Sequence, residues 1–100
     1  MRNSESTIDQ DILGETAKIS WKELQFFFAA GKAIYVDAGL DLIEVATQMS
    51  NDNATAIEKW MQKNQIMHVP DDKAKNWYKD NATVWAVVVK PWVLVQEIKT

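Results

Sequence analysis

The 100-residue sequence has no cysteine, a single histidine (His68), a single arginine (Arg2), two prolines and three glycines. Without cysteine there is no disulfide framework, no thiolate nucleophile and no cysteine-ligated zinc, and the chain suits a reducing compartment. Any serine triad would rest on His68 alone. That residue stands between Met67 and Val69 in an expected strand, where it reads as a sheet histidine rather than a general base. The three glycines are isolated, which excludes a glycine-rich phosphate loop. No apolar run nears the ~20 residues of a membrane span. The polar opening MRNSESTIDQD lacks the apolar core of a signal peptide, so a cytoplasmic location is expected.

What is present is ordinary globular composition, with 47% apolar and 25% charged residues. The length predicts one domain, residues 1–100, with residues 1–5 frayed. A chain this short buries only about 60% of its unfolded surface. Five tryptophans and three phenylalanines suit that constraint, because each carries a large apolar area. The net charge of −3 does not advertise nucleic-acid binding, but it is unevenly spread. Residues 1–58 carry four basic and ten acidic side chains, whereas residues 59–100 carry seven basic and four acidic.

Along the chain, Ile8, Ile12 and Ile19, with Leu13 and Ala17, predict an amphipathic helix interrupted by Gly14. Ser20 and Glu23 form a capping-box pattern ahead of a helix with Trp21, Leu24, Phe27 and Phe28 on one face and Gly31 past its end. Phe26 points away from that face and needs another partner, for which the N-terminal segment is the candidate. KAIYVD (32–37) reads as a strand. Asp41 and Glu44 form a second capping box, opening a helix with Leu42, Val45, Ala46 and Met49 at helical spacing. SNDN (50–53) is a turn that caps a further helix holding Ile57, Trp60 and Met61. IMHV (66–69) is a short strand. Pro70 and two aspartates open a helix with Ala74, Trp77 and Tyr78 on one face. The expected class is α+β: a small sheet of three to four strands packed with four to five helices, in a winged-helix-like order.

WAVVVKPWVLVQE (85–97) has the β-branched and aromatic content of a strand, yet both of its faces are apolar. As one continuous strand it puts Trp85, Val87, Val89, Val93 and Val95 on one side and Ala86, Val88, Trp92 and Leu94 on the other. Proline fixes φ near −65° and suits a two-residue hairpin turn poorly. A bend or bulge at Lys90-Pro91 is therefore preferred, with a longer hairpin as the alternative. Either the N-terminal helix or a second subunit must cover the second face, which makes Trp92, Leu94 and Val88 candidate interface residues and a homodimer the expected state.

Asp37, Asp41 and Glu44 gather where a strand meets a helix and could hold a divalent cation; capping is the stronger reading. Trp21, Trp60 and Trp77 lie on apolar helix faces and read as core. If residues 54–64 are a recognition helix and the following segment an enlarged wing, Lys59, Lys63, Lys73, Lys75 and Lys79 are the candidate phosphate contacts. That helix has no arginine for reading guanine, so only weak, unspecific nucleic-acid binding is expected. No enzyme activity, cofactor or membrane association is expected. The leading reading is a protein that works through an interface with itself or another protein.

Three segments, ETAKISWKELQFFFAAGK, GLDLIEVA and WAVVVKPWVLVQE, together resemble a family of small proteins catalogued as domain of unknown function 2288. The resemblance covers residues 15–97, and the last segment is its most specific part. It implies a bacterial, cytosolic, single-domain protein and brings no activity or functional residues.

Overall fold

The computed structural model describes residues 16–98. Strand β1 (Ala17–Ser20) leads through a 3-10 turn (Trp21–Leu24) into helix α1 (Gln25–Ala29) and strand β2 (Ala33–Val36). Helices α2 (Leu42–Ser50) and α3 (Ala54–Gln62) follow, then β3 (Ile66–His68) and α4 (Asp71–Lys79). The hairpin β4 (Thr83–Val89) and β5 (Trp92–Glu97) completes the described chain. The strands form one open sheet in the order β1-β4-β5-β2-β3. Its β2–β5 pair is parallel, and the other pairs are antiparallel.

The apolar character of residues 85–97 on both faces follows from this order. Central strands with helices on both faces read as near-continuous apolar runs. On β2, Ala33 and Tyr35 point into one core cluster, Ile34 and Val36 into the other. On β4, Val84 and Ala86 alternate in the same way with Trp85, Val87 and Val89. The first cluster is closed by Trp21, Leu24, Phe27 and Phe28 from the turn and α1, and by Ala74 and Trp77 from α4. The second is closed by Leu42, Val45 and Ala46 of α2, with Ile57 and Trp60 of α3. Both faces of the hairpin are thus covered by the chain's own helices except near its tip, where Val88 is half exposed.

Three expectations need correction. Five strands are present among the described residues, not three to four. The additional strand is β1, which contains Ala17 and Ile19, expected in a helix; pairing with β4 gives Ala17–Ser20 ladder bonds, and Ile19 packs on the first core cluster. The rest of that expected helix, Ile8, Ile12, Leu13 and Gly14, lies outside the described residues. Ser20 consequently ends a strand and makes no side-chain cap. The first described element is therefore a strand, where a helix was expected.

The third correction concerns the turn. Val89 pairs directly with Trp92, so Lys90 and Pro91 alone reverse the chain, and the peptide between them is cis. A cis proline at the third position of a tight turn belongs to type VI, which does not need the positive φ that the common two-residue hairpin turns require. The reversal exchanges the faces of the second half. Val93 and Val95 lie with Val84 and Ala86, and Leu94 lies with Val87 and Val89.

The four α-helices among the described residues end alike. Lys32 N–H donates to Phe27 O and Gly31 N–H to Phe28 O, the paired pattern of a Schellman motif. The same pattern closes α2 at Asn53 and Asp52, α3 at Gln65 and Asn64, and α4 at Ala82 and Asn81. Gly31, Asp52, Asn64 and Asn81 hold the left-handed conformation this needs, with φ of 74°, 53°, 57° and 53°. A chain poor in glycine uses the residues that tolerate this conformation next best.

Candidate functional site

The carboxylates between β2 and α2 serve local structure. Asp41 Oδ1 accepts from Ile43 N at 3.0 Å and Glu44 N at 3.4 Å, as a cap. Glu44 does not reach back to complete a box; its Oε2 accepts from Gln48 Nε2 at 2.9 Å. Asp37 Oδ2 accepts from Gly39 N at 2.9 Å. The whole loop is tied to the sheet by Gln96, whose buried Nε2 donates to Asp37 O at 2.9 Å and Leu40 O at 2.7 Å. No three His, Cys, Asp or Glu side chains among the described residues gather as a metal site would require.

The five candidate phosphate lysines do not form one face. Lys59 and Lys63 sit on α3 and at its end, on the side of the sheet closed by α2. Lys73, Lys75 and Lys79 sit on α4, on the opposite side. Lys73 is further engaged, with its Nζ 3.5 Å from Glu97 Oε2 and 5.0 Å from the centre of the Tyr35 ring. Trp77 Nε1 also donates to Glu97 Oε2, at 3.3 Å. This quartet stands where β5 ends at Glu97, beside an open cleft lined by Ala38, Trp77, Thr83 and Ile98. Its members lie up to sixty-two positions apart in sequence, from Tyr35 to Glu97, so no local pattern announces it.

Burial pushes the Tyr35 phenol above its ordinary 10.0; the Lys73 ammonium opposes the shift, and Glu97 and Asp37 reinforce it. A raised folded-state pKa means that the folded chain keeps this proton longer than the unfolded chain. The associated stability is intact below about pH 10 and is lost as pH rises from the unfolded value through the folded one. Tyr35→Phe should therefore flatten the alkaline decline of the urea midpoint relative to wild type while leaving the neutral range nearly parallel. An unchanged alkaline slope would mean that Tyr35 titrates alike in both states.

The interface candidates divide. Leu94 is 0% exposed and belongs to the core under α2, which corrects its placement at a surface. Val88 is 50% exposed near the tip of the hairpin. Trp92, half-buried, lines an open groove with Met49, Ile57, Val89 and Pro91, and Asp52 and Glu58 stand on the same lining. His68 is exposed on β3, with its ring 6.3 Å from Trp92 and edge-on to it. Of the tryptophans read as core, Trp21 and Trp77 are buried and Trp60 partly so. Tyr78 and Phe26 are 50% and 77% exposed. Tyr78 was expected on the apolar face with Ala74 and Trp77, but it lies at the flank of that stripe.

A family model described as a protein of unknown function (DUF2288) matches residues 7–97. The chain belongs to this family. It is also similar to PA1075 from Pseudomonas aeruginosa, known from an NMR solution structure, with 44% sequence identity and a TM-score of 0.86. The match covers 100% of this chain and 93% of that one. No curated protein matches. The three segments that carried the resemblance therefore place this DUF2288 chain correctly, and its hairpin, the most specific of them, is the centre of the sheet. No helix among the described residues is long and apolar enough to cross a membrane.

Proposed function

We propose that this chain is a cytoplasmic binding module, not an enzyme, and that it engages another protein through the tip of the β4–β5 hairpin. The observation that carries this reading is Trp92 in its groove. A tryptophan left partly open among Met49, Ile57 and Pro91 is the kind of anchor that dominates interface energetics. Val88, half exposed on the other face of the same hairpin, extends the apolar surface around the tip. Asp52 and Glu58 on the groove lining outnumber Lys90 there and favour a partner that offers an apolar side chain beside a basic one.

A homodimer was expected because residues 85–97 needed a cover. The chain's own helices supply that cover, so the partner proposed is a different protein. A photo-crosslinking amino acid placed at Lys90 in the full chain, irradiated in a bacterial host, should give a discrete adduct with another protein. The adduct should disappear in Trp92→Ala. Adducts that survive Trp92→Ala would overturn the reading, as would adducts formed solely between copies of the chain, which would return the homodimer.

A further inference from the structure

On the side of the molecule closed by α4, a second groove runs between that helix and α1, with a volume of about 360 Å³. Its lining includes Phe28 and Ala74 as apolar floor, Lys75 and Lys79 from α4, and Tyr78 between them. Lys75 and Lys79 are four residues apart, so their ammonium groups rise from one side of the helix. Tyr78 is 50% exposed, and Lys22 Nζ stands 4.8 Å from the centre of its ring. Lys22 thus covers one face of a half-exposed aromatic ring, and Lys75 and Lys79 share the groove lining with that ring. Asp71, also on the lining, opposes them with a single carboxylate. A neighbouring polar group is already committed, since Gln25 Nε2 donates to Trp21 O at 3.0 Å.

We propose that this groove binds a nucleoside phosphate, with the planar base on Tyr78 and the phosphate between Lys75 and Lys79. Cationic side chains supply the attraction for phosphate, and an exposed aromatic ring supplies a stacking platform that any base can use. The groove falls within the size range of small-molecule sites, about 300–1,000 Å³. A polymer is a poorer fit. The chain's net charge is −3, and Lys59 and Lys63, which could prolong a basic track, lie across the sheet. This inference is independent of the hairpin surface, because the groove is built on the opposite layer of helices.

The test is titration of the ¹⁵N-labelled full chain with AMP, followed by amide chemical shifts, with inorganic phosphate and adenosine titrated separately. AMP should give saturable shifts at residues 75–79 and Phe28, with affinity clearly above that for either fragment. Tyr78→Leu should weaken AMP binding about tenfold while leaving the response to phosphate unchanged. The Lys75→Glu, Lys79→Glu double variant should abolish saturation. All three positions changed in these variants line the groove, and an unchanged spectrum of the buried Trp21 indole checks that each variant is folded. Absence of saturation at millimolar AMP would overturn the proposal. Equal affinity for AMP and phosphate, or shifts that persist in the double variant, would do so as well.

Discussion

Trp21→Ala should leave the chain close to unfolded in water. Trp21 is 0% exposed and stands where three elements meet. Its indole Nε1 donates to Ala74 O of α4 at 3.1 Å, and its backbone N donates to Ala82 O, just before β4, at 2.9 Å. Its ring lies edge-on to Trp77 at 5.0 Å and to Phe28 at 5.6 Å. Removing a buried tryptophan costs about 3–5 kcal/mol, because the lost transfer energy is joined by that of the cavity left behind. Domains have only about 5–15 kcal/mol of stability in total, and one of this length lies toward the lower end. Trp21→Phe keeps an aromatic ring against Trp77 but loses the indole donor and some volume, so it should cost about 1–3 kcal/mol. Urea unfolding followed by far-ultraviolet circular dichroism measures both. A loss below about 1 kcal/mol for the alanine variant would mean that the first core cluster closes without this residue.

How far the sequence reaches depends on whether the relevant signal is local. Leu42, Val45, Ala46 and Met49 share one helix face, and Asp41 is adjacent to the amides it caps, so α2 can be read directly. Trp21, Leu24, Phe27 and Phe28 likewise reach the core together. The N-terminal pattern misled because Ala17 and Ile19 suit a helix stripe and a strand face equally. The choice between them was made by the free edge of β4, far along the chain. The parallel pairing of 33–36 with 93–96 has no sequence mark at all. The candidate surfaces follow the same rule. Lys59 and Lys63 are close in sequence to Lys73, Lys75 and Lys79, yet the short strand β3 carries the chain past the sheet edge, and the two groups end on opposite sides. Lys22 and Tyr78 are fifty-six positions apart and meet at 4.8 Å.

The proline-containing turn has the largest consequence for mutation, and it sets the second expected result. If the strand ran straight through Lys90-Pro91, Leu94 would share a face with Ala86 and Val88 and could lie at a subunit boundary; Leu94→Lys would then yield a folded monomer. The hairpin instead turns Leu94 onto the side of Val87 and Val89, beneath Val45 and Ala46 of α2. Leu94→Lys should therefore prevent folding. It forfeits about 1.5–3 kcal/mol of burial and sets an ammonium group in an apolar layer, where an unpaired ion costs several kcal/mol more. Val88→Lys is the matched control on the same hairpin. Its side chain is half exposed, so the ammonium can reach water and the cost should stay within about 1 kcal/mol. Expression of both variants, with urea midpoints for whichever folds, distinguishes the two arrangements. A folded Leu94→Lys chain with near-native stability would show that this face of the sheet is not sealed by α2. A chain that tolerates lysine at 88 and collapses with it at 94 has its cover within itself, leaving Trp92 and Val88 at the hairpin tip as the surface to present to a partner.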